Sequence, residues 1–181
     1  MTTLGLDADA FIFLRKLGLL DDLVALASPP EPRISLHTTG YVAHHELSDL
    51  STVLALMVAG STLTISQVKT KTRAFALLRE LQEAGYDKGE SELGAWIATE
   101  SELTVLVSCD LAVPKMAKGL KIKALDLGRL VVVLVKDGLM AEATAAERLK
   151  PWENPHTGIG RPRWWTTLAD ALAAGHPLAP T

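Results

Sequence analysis

From Leu4 to Leu149 short apolar runs alternate with segments of helical period, and few folds accept that order. Leu4 to Leu6, Ile34 to His37, Thr104 to Val107 and Lys121 to Leu125 read as strands. Leu63 to Ile65 reads as a short strand or an extended link. Between them the helical spans are 8–20, 21–27, 40–50, 51–60, 70–84, 90–100, 113–119, 127–139 and 141–149. Alternation of this kind predicts an α/β fold, a three-layer α/β/α sandwich around a mainly parallel sheet. Ser28-Pro-Pro-Glu-Pro ends the second helix, because proline lacks a donor and fixes φ. Thr38 or Thr39 is expected to cap the helix that begins at Gly40.

The apolar runs stop at acids. Asp7 follows Leu4-Gly-Leu, and Asp110 closes Val105-Leu-Val-Ser-Cys-Asp. Glu46 lies on a helical segment, and Glu90 and Glu92 open another. A carboxylate costs several kcal/mol to bury unless its charge is compensated. In open parallel sheets ligands bind beyond the carboxyl ends of the strands, where Asp7 and Asp110 stand. Acids converging there point to a shared hard cation, Mg²⁺ or Mn²⁺, held by oxygen ligands.

In order and spacing, Leu6-Asp-Ala-Asp-Ala-Phe-Ile, Val42-Ala-His-His-Glu-Leu, Gly89-Glu-Ser-Glu-Leu and Val105-Leu-Val-Ser-Cys-Asp resemble the four acidic motifs of PIN domains. The resemblance spans roughly residues 4 to 140. PIN domains are metal-dependent nucleases, many of them ribonuclease toxins of prokaryotic toxin–antitoxin pairs. It implies a PIN-like nuclease domain over 1–150, and the change of composition at Pro151 marks 151–181 as a C-terminal extension that the resemblance does not reach. It also implies a ribonuclease acting on single-stranded RNA, a possible cognate antitoxin protein and a homodimer. Carried over by position, Asp7 matches the first-strand aspartate, Glu46 the helix glutamate and Asp110 the aspartate after the fourth strand. For the third acid, usually an aspartate in the family, Glu92 is preferred and Glu90 is second.

Two other readings fit part of the pattern. Asp7-Ala-Asp9 after a strand also resembles the Asp-x-Asp of haloacid dehalogenase-type phosphatases, with Asp7 as nucleophile and Asp9 as acid/base. That reading leaves Glu46, Glu90 and Glu92 unexplained. The third possibility is a non-catalytic PIN-like module that binds RNA or protein. Outside the motifs, Asp9 reads as a first-turn helix residue and His44 and His45 as surface side chains. Cys109 reads as a small buried thiol, and Ser108 as a group able to orient a ligand or phosphate.

The remaining composition bounds these readings. The 181 residues are 48% hydrophobic and carry a formal net charge of −3, so any nucleic-acid contact needs a local patch. The lone Cys109 excludes an intramolecular disulfide and fits a cytoplasmic protein. No signal peptide is evident, and Leu130-Val-Val-Val-Leu-Val is far short of the roughly 20 residues that span a bilayer. Lys115, Lys118, Lys121 and Lys123 read as a solvated face. From Pro151 the chain turns rich in Trp, Pro and Gly. Trp152, Trp164 and Trp165 are expected to be buried as anchors, in this chain or against a second copy, with Arg161 and Arg163 reaching outward. Stacking of bases on these rings is the weaker alternative.

Overall fold

In the computed structural model, which describes residues 2–100, 104–154 and 159–178, five parallel strands form one sheet in the order β3-β2-β1-β4-β5. They are β1 (Thr2–Leu6), β2 (Ile34–Thr39), β3 (Leu63–Ser66), β4 (Thr104–Val107) and β5 (Lys123–Leu125). Leu103, directly before the expected Thr104 to Val107 strand, and Pro155 to Gly158 of the extension lie outside the described residues. The expected three-layer α/β fold is present, and every strand pair is parallel.

Each layer follows from strand parity. Leu4, Leu6, Ile34, Leu36, Val105 and Val107 face one core. That core is completed by α1 (Ala8–Lys16), α2 (Leu19–Ala27), α3 (Ser51–Ala59), α7 (Leu127–Lys136) and α8 (Glu142–Leu149). Leu106 belongs to the opposite face, under α4 (Arg73–Glu83), α5 (Lys88–Glu100) and α6 (Val113–Leu120). Gly5 lies on that second face. A Cβ there would stand 3.1 Å from Ile97 Cδ1 and 3.3 Å from Leu93 Cδ1, so the missing side chain lets α5 pack close on the central strand.

Several boundaries differ from the sequence reading. The helix expected over 8–20 ends at Lys16, because Gly18 takes a left-handed conformation (φ 71°) and starts α2. Arg148 crosses that turn to pair with Asp22 at 2.8 and 3.2 Å, tying α8 to the α1–α2 hairpin. The helix expected over 40–50 is a π turn, Val42–Glu46, followed by a 3₁₀ turn, Ser48–Leu50. Neither threonine caps it. Thr38 and Thr39 are buried at the end of β2, where the Thr38 hydroxyl donates to Leu6 O at 2.9 Å. The cap is distant: Tyr41 N donates to the Glu92 carboxylate at 2.8 Å.

The extension packs on the first core. Trp152 and Trp165 are 2% and 5% exposed and meet edge to face at 4.9 Å between ring centres, and Ala171 of α9 (Leu168–Ala173) joins them. These two rings therefore cover apolar surface of their own chain, which removes the tail as an argument for a second copy. No helix among the described residues is long and apolar enough to cross a membrane.

Candidate metal centre

Asp7 and Ser108 emerge side by side because β1 and β4 are paired up to Leu6 and Val107. Asp7 N donates to Val107 O at 3.2 Å, and its carboxylate caps α1 by accepting from Ala10 N at 2.7 Å. The side chain is 4% exposed. Burial pushes its pKa up to about 7, against the pull of hydrogen bonds from Ser108 and Ala10, and the charges of Asp9 and Glu46 add to the rise. Ser108 Oγ also accepts from Asp110 N at 3.0 Å, so one hydroxyl links the two strand-end aspartates.

Asp110 turns the chain toward α6, with Oδ1 accepting from Ala112 N at 2.5 Å. Glu90, in the first turn of α5 and 9% exposed, shares a side-chain hydrogen bond with Asp110. Burial first, then the charges of Asp110, Asp7 and Asp87, push the Glu90 pKa up to about 8. Without a cation, Glu90 is thus the proton-bearing partner that donates to Asp110. Asp7, Glu90 and Asp110 form one acidic group joined by Ser108.

Glu46 and Glu92 form a second group on the other side of the start of α5. The exposed Glu46 carboxylate lies directly over Gly89 and accepts its backbone N–H; a Cβ at residue 89 would collide with it. Burial, then Asp87 and Asp9, raise the Glu46 pKa, and the Glu92 charge adds to this. Glu92 is committed to Tyr41 N. The sequence preference for Glu92 over Glu90 thus meets a structure in which Glu90 stands with Asp7 and Asp110. The two groups sense each other, since Glu46 contributes to the Asp7 shift.

Among the described residues no ion pair reaches any of these five acids, and no three His, Cys, Asp or Glu side chains are drawn together in metal-ligating geometry. The donor set still fits a hard divalent cation. It is all oxygen, two members are buried, and among the described residues no Lys or Arg neutralises it. Carboxylates lacking a cation either repel one another or hold protons, and Glu90 takes the second course.

The other singled-out residues fall elsewhere. Asp9 is exposed in the first turn of α1. His44 and His45 are exposed, with His45 stacked on Tyr41 at 4.7 Å. Burial drives the Cys109 thiol far above its usual range, which leaves no thiolate for nucleophilic attack. Trp164 corrects the expectation of three buried rings, at 40% exposure. Arg161 turns inward to donate to Trp165 O at 3.1 Å, whereas Arg163 is exposed as expected.

Sequence reasoning gave Gly89 no role of its own and read Thr39 only as a candidate helix cap. Extending the β1–β2 register beyond Gly5↔His37 sets Thr39 beside Asp7, and its buried hydroxyl has no hydrogen-bond partner among the described residues. Strand parity was the available signal for it. No protein-family model matches the chain, and no match is found among curated proteins.

Proposed function

We propose that this protein is a PIN-like, Mg²⁺- or Mn²⁺-dependent nuclease acting on single-stranded RNA. The observation that carries the reading is the group Asp7, Glu90 and Asp110 at the carboxyl edge of a parallel sheet, two of them buried and none paired with a side-chain cation among the described residues. The acidic motifs and their convergence on one edge support the same assignment. Asp7, Asp110 and Glu90 would hold the ion, with Glu46 and Glu92 completing the site from the other side of α5. The bound ion supplies an activated water and stabilises the leaving oxygen of a phosphodiester.

The chain's own residues supply orientation. Ser108 fixes the Asp7 carboxylate and the backbone of Asp110. Glu90 must release its proton before it serves as a ligand, which ties ion binding to pH. Gly89 N–H holds Glu46 at the rim. A cognate inhibitory protein and a homodimer belong to the same proposal, and both rest on the motif resemblance.

The test is cleavage of single-stranded RNA with Mn²⁺, comparing the wild type with Asp7→Asn. Asparagine keeps the α1 cap, so the variant should fold and lose cleavage. Mn²⁺ binding by calorimetry without cleavage of any RNA or DNA would turn the assignment to a non-catalytic binding module. Hydrolysis of a small phosphoester, abolished by Asp7→Asn, would favour the phosphatase reading.

A further inference from the structure

Beside Asp110 the carboxyl ends of β4 and β5 and the returning tail enclose a groove of about 680 Å³. This lies within the range of small-ligand sites, about 300–1,000 Å³. Its two walls differ. Asp9, Ser108 and Asp110 line the wall shared with the acidic site, and Arg129, Arg163 and Trp164 line the other. The groove and the acidic site are therefore continuous through Ser108 and Asp110.

Trp164 is built differently from its neighbours. Trp152 and Trp165 anchor the tail, whereas Trp164 keeps 40% of its surface in solvent. It is nonetheless held. Its Nε1 donates to Asp126 Oδ2 at 2.7 Å, and the Arg129 guanidinium lies over its ring at 5.1 Å. Arg129 Nη1 also pairs with Asp126 Oδ2 at 2.8 Å, which neutralises that carboxylate. A fixed, partly bare indole with one guanidinium over its ring, in a groove that Arg163 also lines, is a stacking platform with anion sites nearby. Arg163 has no hydrogen bond or ion pair among the described residues, so its charge is available.

We propose that this groove binds an unpaired nucleotide of a single-stranded nucleic acid, its base stacked on Trp164 and its phosphate against Arg163 and Arg129. The inference rests on the nuclease reading only for what happens next, since a strand seated here passes its neighbouring phosphate to Asp110 and Asp7. Charge complementarity selects this occupant. Arg129 and Asp126 offset each other, whereas Arg163 on the tail carries a charge unpaired among the described residues, so a polyanion is attracted to the tail side of the groove and kept off Asp9 and Asp110. A duplex hides the faces of its bases and gains nothing from Trp164.

The experiment is fluorescence anisotropy of short labelled oligo(U) and oligo(dT), with a duplex as control, in EDTA so that no strand is cut. Trp164→Ala should weaken oligo(U) binding by roughly tenfold, and Trp164→Phe should restore most of it. Arg163→Glu should weaken binding comparably and flatten its salt dependence. Thermal melting checks each fold, and Arg163→Glu alters an exposed side chain should Trp164→Ala prove unstable. A preference for oligo(U) or oligo(dT) identifies the nucleic acid. Unchanged affinity in folded Arg163→Glu and Trp164→Ala, or equal binding of duplex, would overturn the proposal. The two readings separate cleanly. Trp164-dependent binding without cleavage in Mn²⁺ retains the groove and removes the nuclease. Cleavage that ignores both variants removes the groove and retains the nuclease.

Discussion

The Glu46 carboxylate rests on the backbone of Gly89, occupying the space a side chain would need. The contact joins the π turn after β2 to the first turn of α5. Gly89→Ala should push the carboxylate aside. Because it ends a flexible, exposed side chain, the cost is small, and alanine gains up to about 1 kcal/mol of helix propensity over glycine. The melting temperature should hold or rise while Mn²⁺ affinity falls in calorimetry. A destabilised variant with native Mn²⁺ affinity would contradict this role for Gly89.

Acid pH should stabilise the metal-free protein. The folded pKa values of Asp7 and Glu90, about 7 and about 8, lie above the ordinary carboxylate range near 4. Between those limits the native state keeps protons that the unfolded state has released, so stability falls as pH rises through the window. For Asp7 alone the difference is on the order of 4 kcal/mol. Because Asp7 and Glu90 interact, the loss should appear as one coupled titration. Urea unfolding in EDTA should show a higher midpoint near pH 5 than near pH 8. Mn²⁺ should raise the midpoint more at the higher pH, where no proton has to leave first.

Glu90→Gln and Glu92→Gln should separate the two candidates for the third acid. Glutamine at 90 removes a buried acid that must ionise, so metal-free stability near pH 8 should rise and Mn²⁺ binding should weaken. Glutamine at 92 still accepts from Tyr41 N and should disturb Mn²⁺ binding less. The opposite order of affinities would make Glu92 the ligand.

Trp152→Ala should destabilise the protein by about 3–5 kcal/mol, the usual cost of emptying a buried aromatic site. The indole also donates to Ile159 O, so that carbonyl would lose its partner. The Trp165→Ala loss should not add fully to it, because the two rings touch. Urea unfolding measures both. A loss below about 1 kcal/mol for Trp152 would mean that the tail does not anchor the fold.

The alternation of strands and helices was legible because each layer has its own period. β4 is buried on both faces and reads as an almost continuous apolar run, whereas β2 alternates, its Ser35 and His37 only partly buried. β3 was ambiguous because it is an edge strand in which Leu63 alone is fully buried. The π turn escaped notice because its cap, Glu92, arrives from 51 residues away, beyond any local pattern. The choice between Glu90 and Glu92 was readable in principle. Glu90, Leu93 and Ile97 recur at helical spacing on the buried face of α5, and Glu92 lies off it. Trp164 and Trp165 could not be told apart by composition, since the packing of the tail decides which of two adjacent rings turns inward.

β1 precedes all its partners in the chain, yet it lies at the middle of the sheet. Thr3 pairs with Thr104, so one flank of the strand waits for 101 further residues to be made. At about 5–20 residues per second this delay lasts roughly 5–20 s. Throughout it Leu4-Gly-Leu presents an unpaired apolar edge, the kind of surface that chaperones bind and aggregates recruit. Nascent chains stalled before β4 are therefore the species most exposed to misfolding.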